Sequence, residues 1–338
     1  MKIGILSSGG DCPGINATIR GVGKTALTYF GMEVIGIKSG FQGLLHKDYI
    51  PLDEESLSGL LNLGGTILGT SREKPFKKIL DGSGEVKPQI IADNYKKLGL
   101  DCLVCIGGNG TQKTAYKVSQ LGLNVVGIPK TIDNDVWGTD IAFGFHTAVD
   151  IATEAIDRLH STASSHRRVM VIELMGHKTG WLALYAGMAG GADVILLPEL
   201  GFHIEKINKA IMNRVLKGKP YSIVAMGEGL AVSNKKNSPA SYISQLIEEG
   251  TGIETRTTIL GYVQRGGSPS AYDRNLATRL GGHATELISK SEFGKMVCLV
   301  NDEIQSIPLS EVYGKLKLVD PNHDLIIQGK RMGISFGV

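Results

Sequence analysis

The sequence predicts an α/β protein built on mostly parallel sheets with helices on both faces. Three observations lead there. Short β-branched and apolar runs alternate along the chain with stretches of helical periodicity. The runs are apolar almost throughout, as strands buried on both faces require. Several lead into glycine pairs, Gly9-Gly10, Gly107-Gly108 and Gly266-Gly267, and in open α/β sheets ligands bind beyond the carboxyl ends of the strands.

The elements follow in order. Strands are expected at Lys2–Leu6, Glu33–Ile37, Cys102–Ile106, Val125–Ile128, Val169–Leu174, Val194–Leu197, Ile223–Ala225 and Thr257–Tyr262. Helices are expected at Ile15–Phe30, Pro88–Leu98, Thr111–Gln120, Thr147–His160, Ile204–Leu216 and Ser241–Glu249. A length of 338 residues suits two domains, yet no linker, repeat or shift of composition marks a boundary between them.

Composition removes whole classes. Hydrophobic residues make up 42% and charged residues 20%, a globular balance. The net charge, 36 − 33 = +3, is too even to argue for nucleic acid or an anionic membrane. No run of about 18 apolar residues spans a bilayer, and the first residues lack the apolar core of a signal peptide. Four cysteines are too few for a disulfide scaffold and fit a reducing, cytoplasmic setting. Glycine is high, 45 of 338 against a usual share of about 7%, with no collagen period. Backbone must therefore turn sharply or approach a ligand at many places.

Four stretches carry chemistry. In Gly4–Gly14 a strand enters a glycine turn, and Pro13 suits the first turn of a helix whose free N–H groups face an anion. The pattern is neither a Walker A loop nor a dinucleotide GxGxxG. In Cys102–Thr111 a buried strand again opens into glycines. The N–H groups of Gly108 to Thr111 suit phosphate oxygens, and Asn109 offers an oxygen to a metal. The Cys102/Cys105 spacing is not read as a redox or zinc pair, because the two side chains point to opposite faces of a strand. In Gly127–Asp135, Asp133 and Asp135 lie beside Lys130 and Thr131. One carboxylate there can act as a base while the other holds a metal through water. The fourth set is arginines in polar turns: Arg72, Arg167, Arg168, Arg256, Arg265 and Arg274. Their planar fork suits phosphate, and Arg265 is singled out by the glycines that follow it.

Together these stretches resemble one family, the 6-phosphofructokinases. The likeness runs from Gly4 to about Arg279 and rests on GILSSGGDCPGINATIRG, GGTILGTSR, CIGGNGT, PKTIDND and TRTTILGYVQRGGSPSAYDR, in that order. PKTIDND and QRGGSP are its most specific parts. The resemblance implies two lobes, each a mostly parallel sheet covered by helices, with the active site between them. A phosphoryl-donor lobe would take 1–144 plus 257–307, and a sugar-phosphate lobe 145–256 plus 308–338. The implied reaction moves a phosphoryl group to the 1-hydroxyl of fructose 6-phosphate in glycolysis, with Mg²⁺.

By the same resemblance, Asp133 is the general base and Thr131 contacts the phosphoryl group or the sugar. Asn109 and Asp135 serve the metal. Gly10, Arg72, Gly108, Asn109, Gly110 and Thr111 form the donor site, Arg72 and Lys130 bringing charge to the transferred group. Arg168, Arg256 and Arg265 clamp the sugar 6-phosphate, with Tyr262 beside them. Met175, Gly176, His177 and Glu228 meet the fructose hydroxyls. In the family, equivalents of Arg168 and Arg256 reach in from a neighbouring subunit, so a homodimer or homotetramer is implied. The chain departs from the family's usual residues in three places: Asn109 replaces an Asp, His177 an Arg and Tyr262 a His. Of the effector arginines Arg20 is kept, while Lys24 and His160 stand at two others.

The family uses ATP or pyrophosphate, and two positions bear on the choice. Pyrophosphate enzymes usually carry Asp at the position of Gly110 and Lys at that of Lys130. Glycine at 110 leaves the path of the ATP α-phosphate open, so ATP is the expected donor. The alternatives are a pyrophosphate-dependent enzyme and a low-activity regulatory paralogue that binds sugar phosphate.

Overall fold

The computed structural model describes residues 1–77, 80–233 and 238–338. The strands are β1 (Lys2–Ser8), β2 (Glu33–Ile37), β3 (Tyr49–Pro51), β4 (Cys102–Gly107), β5 (Val125–Pro129), β6 (Val169–Leu174), β7 (Val194–Leu196), β8 (Ser222–Gly227), β9 (Thr255–Ile259), β10 (Lys295–Val300) and β11 (Glu303–Pro308). The helices are α1 (Ile15–Lys24), α2 (Phe41–His46), α3 (Lys87–Lys97), α4 (Asn109–Ser119), α5 (Phe145–His166), α6 (Trp181–Ala189), α7 (Ile204–Leu216), α8 (Pro239–Thr251), α9 (Ala271–Ser289), α10 (Leu309–Val312) and α11 (Asp324–Arg331).

The chain divides into two compact units. The first comprises Met1–Thr131, Val136–His146 and Arg265–Leu316. It holds a seven-stranded sheet of order β11-β10-β5-β4-β1-β2-β3. The core order is parallel: β1 pairs with β2 and β4, and β4 with β5. Every residue of β4 is buried, as a strand covered on both faces should be. Its core gathers Leu6, Ile37, Phe41, Leu103, Cys105, Val118, Val125 and Met296.

The second unit comprises Ile132–Asp135, Thr147–Gln264 and Lys317–Val338. Its sheet has the order β7-β8-β6-β9, parallel throughout. Val169, Val171, Val224, Met226, Ile211 and Ile243 form its core. The C-terminal segment docks beside β7, where Ile195 N–H donates to the Ser335 carbonyl at 2.9 Å.

Local chemistry sets the helix starts. Ser238 and Ser270 cap α8 and α9 by accepting the N–H groups of Ser241 and Asp273. Several expectations are corrected. Pro13 stands before the first turn of α1, whose cap is Gly14 at φ 103°. The helix expected to run to Phe30 changes to a π-helical turn over Thr25–Tyr29. The strand expected at Thr257–Tyr262 starts two residues earlier and ends three earlier, at Ile259, because Gly261 at φ 56° opens a 3₁₀ turn over Gly261–Arg265. Gly266-Gly267 therefore follow that turn and not a strand. The compact units also break at Arg265 and Lys317, against the expected 257 and 308. Pairing of β9 with β6 keeps residues 255–259 in the second unit. No helix among the described residues is long and apolar enough to cross a membrane.

Candidate active site

In the first unit three segments meet at the carboxyl ends of β1, β4 and β5. Gly9 N–H donates to the Ser71 carbonyl at 2.9 Å, and Thr70 Oγ1 donates to the Gly9 carbonyl at 2.7 Å. This ties exposed Arg72 to the loop after β1. Lys130 is 4% exposed and its ammonium donates to the Gly10 carbonyl. Arg265 also lies against Gly10: a Cβ there would stand 2.9 Å from its Nη1. The glycine leaves room for a flat guanidinium, so Gly10, Lys130 and Arg265 form one cluster. The resemblance groups Arg265 with Arg168 and Arg256, and its guanidinium stands against Gly10.

Helix α4 opens at Asn109 with Gly108 as its cap, and its first N–H groups carry the positive end of the dipole. Thr111 is 5% exposed and its hydroxyl donates to the Ser8 carbonyl at 3.1 Å. Its side chain thus braces β1, and its own N–H donates to the Gly108 carbonyl at 2.9 Å, so of the N–H groups expected to face phosphate this one is already engaged. Gly107 and Gly110 differ sharply. A Cβ at Gly107 would collide with the Thr111 side chain, while one at Gly110 would meet nothing within 4 Å. Packing requires the first glycine. At the second, open space lies beside the helix N-terminus. Thr131 is 8% exposed and packs near Gly108.

In the second unit Asp133 is half-buried and Asp135 is 7% exposed. Between them Asn134 takes φ 50°, a conformation Asn tolerates better than most residues. The buried Thr179 hydroxyl donates to the Asp133 carbonyl at 3.1 Å, and Lys317 N–H to the Asp135 carbonyl at 2.9 Å. Met175, Gly176 and His177 follow β6, and Glu228 follows β8. Glu228 Oε1 accepts the His177 N–H at 2.8 Å, joining the two strand ends. Glu173, near the end of β6, accepts the Ala240 N–H at 2.9 Å. Burial raises its pKa, the Ala240 bond opposes that, and Glu228 adds to it.

Arg168 and Arg256 share one carboxylate. Arg168 Nε donates to Glu254 Oε2 at 2.5 Å, and Arg256 bonds the other oxygen. The hydrogen bond from Arg168 is the main cause holding the Glu254 pKa down. Tyr262 is 73% exposed, with Ile259 and Val263 near it in sequence and also exposed. His160 has both ring nitrogens engaged, one with Tyr221 Oη at 3.2 Å and the other with the Gly190 carbonyl at 2.7 Å. Sequence reasoning missed Thr179, Glu173 and Glu254, whose signals are contacts across long stretches of chain.

The glycine loops and helix N-terminus of the first unit and the strand-end carboxylates of the second are groups suited to phosphoryl-group chemistry. Comparison with known proteins gives the family. Residues 2–288 match the Phosphofructokinase family. A relative from Bacteroides thetaiotaomicron named ATP-dependent 6-phosphofructokinase 3 is 66% identical over 337 residues, covering 100% of each chain. One from Spirochaeta thermophila named ATP-dependent 6-phosphofructokinase is 55% identical over 354 residues, covering 99% of this chain and 97% of its own. The solved phosphofructokinase from Saccharomyces cerevisiae superposes with a TM-score of 0.83 at 32% identity. That match covers 92% of this chain and 45% of the yeast chain. This chain belongs to the phosphofructokinase family.

Proposed function

We propose that the chain is an ATP-dependent 6-phosphofructokinase, which converts fructose 6-phosphate and ATP to fructose 1,6-bisphosphate and ADP. The full-length match to relatives of that name carries the reading. Open space at Gly110 supports the donor: an Asp there would put negative charge where the nucleotide phosphates must pass. Lys130, spent on the Gly10 carbonyl, suits ATP as well as pyrophosphate.

Asp133 takes the proton of the sugar 1-hydroxyl as that oxygen attacks the γ-phosphorus, and the bond to the β-phosphate oxygen breaks to release ADP. Arg72 and the α4 N-terminus offset charge on the phosphates, the main protein contribution to phosphoryl transfer. Arg265, standing on Gly10, adds charge beside the donor loop. Arg168, Arg256 and Arg265 hold the sugar 6-phosphate. Thr131, Met175, Gly176, His177, Glu228 and Tyr262 line the sugar side.

Among the described residues no three His, Cys, Asp or Glu side chains gather as a metal cage. That fits Mg²⁺, which keeps several waters and binds through substrate phosphates and one or two protein oxygens. Asn109 and Asp135 would supply those oxygens, and the ion would neutralise charge on the bridging phosphates. The protein acts as a homo-oligomer: β9 is an edge strand, and Arg256 lies on it with exposed Ile259. Four free, buried cysteines suit the cytoplasm.

The test is a coupled assay for fructose 1,6-bisphosphate with Mg²⁺, comparing pyrophosphatase-treated ATP with pyrophosphate. Turnover with ATP is expected. Turnover with pyrophosphate alone would overturn the donor, and binding of sugar phosphate without turnover would make the chain a regulator.

A further inference from the structure

We propose that Asn16, which lies in α1 and carries none of the reacting chemistry, is the positioning residue that sets Arg72. The inference rests on the reading of Arg72 as a donor-phosphate residue.

Asn16 is 1% exposed and its amide is fully used on one loop. Nδ2 donates to the carbonyls of Leu63 and Gly64, at 3.2 and 3.1 Å, and Oδ1 accepts the Ile67 N–H at 2.8 Å. A short polar side chain has thus replaced the secondary structure this loop lacks. The loop is pressed from its other side as well. Gly64 packs on the Gly267 carbonyl so closely that a Cβ would collide, and Ser268 Oγ donates to the Asn62 carbonyl at 2.6 Å.

From Ile67 the chain is stitched to the ends of β1 and β2 until it reaches Arg72. Ser39 N–H donates to the Leu68 carbonyl at 2.8 Å and Ser7 Oγ to the Gly69 carbonyl at 3.0 Å. Thr70 and Ser71 then bond Gly9, and Ser71 Oγ donates to the Ser39 carbonyl at 2.6 Å. Each of these bonds fixes register along the strand end. Asn16 fixes where the segment enters it. A segment that enters from a shifted position at Leu63–Ile67 has to re-form these bonds in a shifted register, and Arg72, next after Ser71, moves with it.

Asn16→Asp tests this with nearly unchanged shape. A carboxylate still accepts the Ile67 N–H but turns an oxygen toward two carbonyls that need a donor. The expected result is a kcat lower by about 10–100-fold, the scale of a misplacement near 1 Å, with the KM for fructose 6-phosphate within about twofold. The deciding readout is a double-mutant cycle with Arg72→Ala. In that background Asn16→Asp should lower kcat by less than about twofold more, because Arg72 is already gone. Multiplying losses would overturn the inference while leaving the Arg72 reading in place. A wild-type kcat for Arg72→Ala alone would overturn both. If Asn16→Asp fails to fold by circular dichroism, Asn16→Ser enters the same cycle, with the same outcomes deciding.

Discussion

The glycine loops of the first unit and the arginine face of the second handle charge by different means. In the first, candidate groups are committed to main chain: Lys130 to the Gly10 carbonyl, the Thr111 hydroxyl to the Ser8 carbonyl, Thr70 to the Gly9 carbonyl. In the second, side chain meets side chain, with Arg168 and Arg256 on Glu254, or a carboxylate takes an N–H, as Glu228 takes that of His177. Side chains that donate to main-chain carbonyls hold the loops around the α4 N-terminus at fixed spacing, which suits a polyphosphate that must be aligned for transfer. Arginines held by a carboxylate keep a matched charge until an anion arrives. The first unit therefore holds its groups by geometry and the second by exchangeable charge, the division expected of the proposed donor and sugar sides.

The largest expected effect separates binding from chemistry. Asp133 belongs to the second unit, yet its proposed part is proton transfer. Asp133→Ser should lower kcat by about 10²–10⁴, the usual worth of acid–base catalysis, with KM values little changed. Steady-state kinetics decides it, and a kcat near that of the parent would remove Asp133 as the base.

Next comes the contrast within α4's entry. Gly110→Asp should fold normally, since a Cβ there meets nothing within 4 Å, and should cut turnover with ATP by about 10-fold or more through charge repulsion. Gly107→Ala should do the reverse. Its methyl would overlap Thr111, an overpacking that costs about 1–3 kcal/mol, read as a lower Tm. Full ATP activity in Gly110→Asp would mean the donor phosphates lie elsewhere. An unshifted Tm in Gly107→Ala would mean the backbone there is less tightly held than its packing indicates.

Much of this contrast was legible in the sequence. Strands such as β4 and β6 declare themselves because burial on both faces leaves an apolar run. The glycine loops and the Asp133/Asp135 pair are local in sequence, so their chemistry shows at once. The β10–β11 hairpin did not show. Its turn is Asn301-Asp302, both at positive φ, where the familiar signal would carry a glycine. Helix α6, apolar around most of its surface, has no polar face to give it a period. Thr179 was hidden because it bonds Asp133, 46 residues away, and Glu254 because one of its two arginine partners, Arg168, lies 86 residues away. The motif match placed Arg265 with the sugar arginines, and only packing on Gly10 reveals its other neighbour.

The smallest effect sharpens the account of the second unit's carboxylates, because two of them are shifted in opposite directions. Glu173 is raised, chiefly by burial. Below the unfolded value of about 4.3 both states hold the proton and burial of this group has no electrostatic cost. As pH rises beyond it, the folded chain carries a poorly solvated charge that the unfolded chain solvates well, so stability falls through the shifted value. Glu173→Gln keeps an acceptor for the Ala240 N–H and removes that charge. Its Tm should exceed the parent's by about 1–3 °C near pH 8, with the gain vanishing near pH 4. Glu254 is lowered, chiefly by Arg168, so its contribution is present above the unfolded value and is lost as pH falls through the folded one. Glu254→Gln should therefore lower Tm slightly at pH 8 and not at all in acid, a small shift because the pair is open to solvent. Thermal melts of both variants across pH 4–8 would show curves diverging from the parent in opposite senses. Two curves that move together would mean that Glu173 is better solvated than its burial indicates, and that the two carboxylates respond to one shared field instead of to their own neighbours.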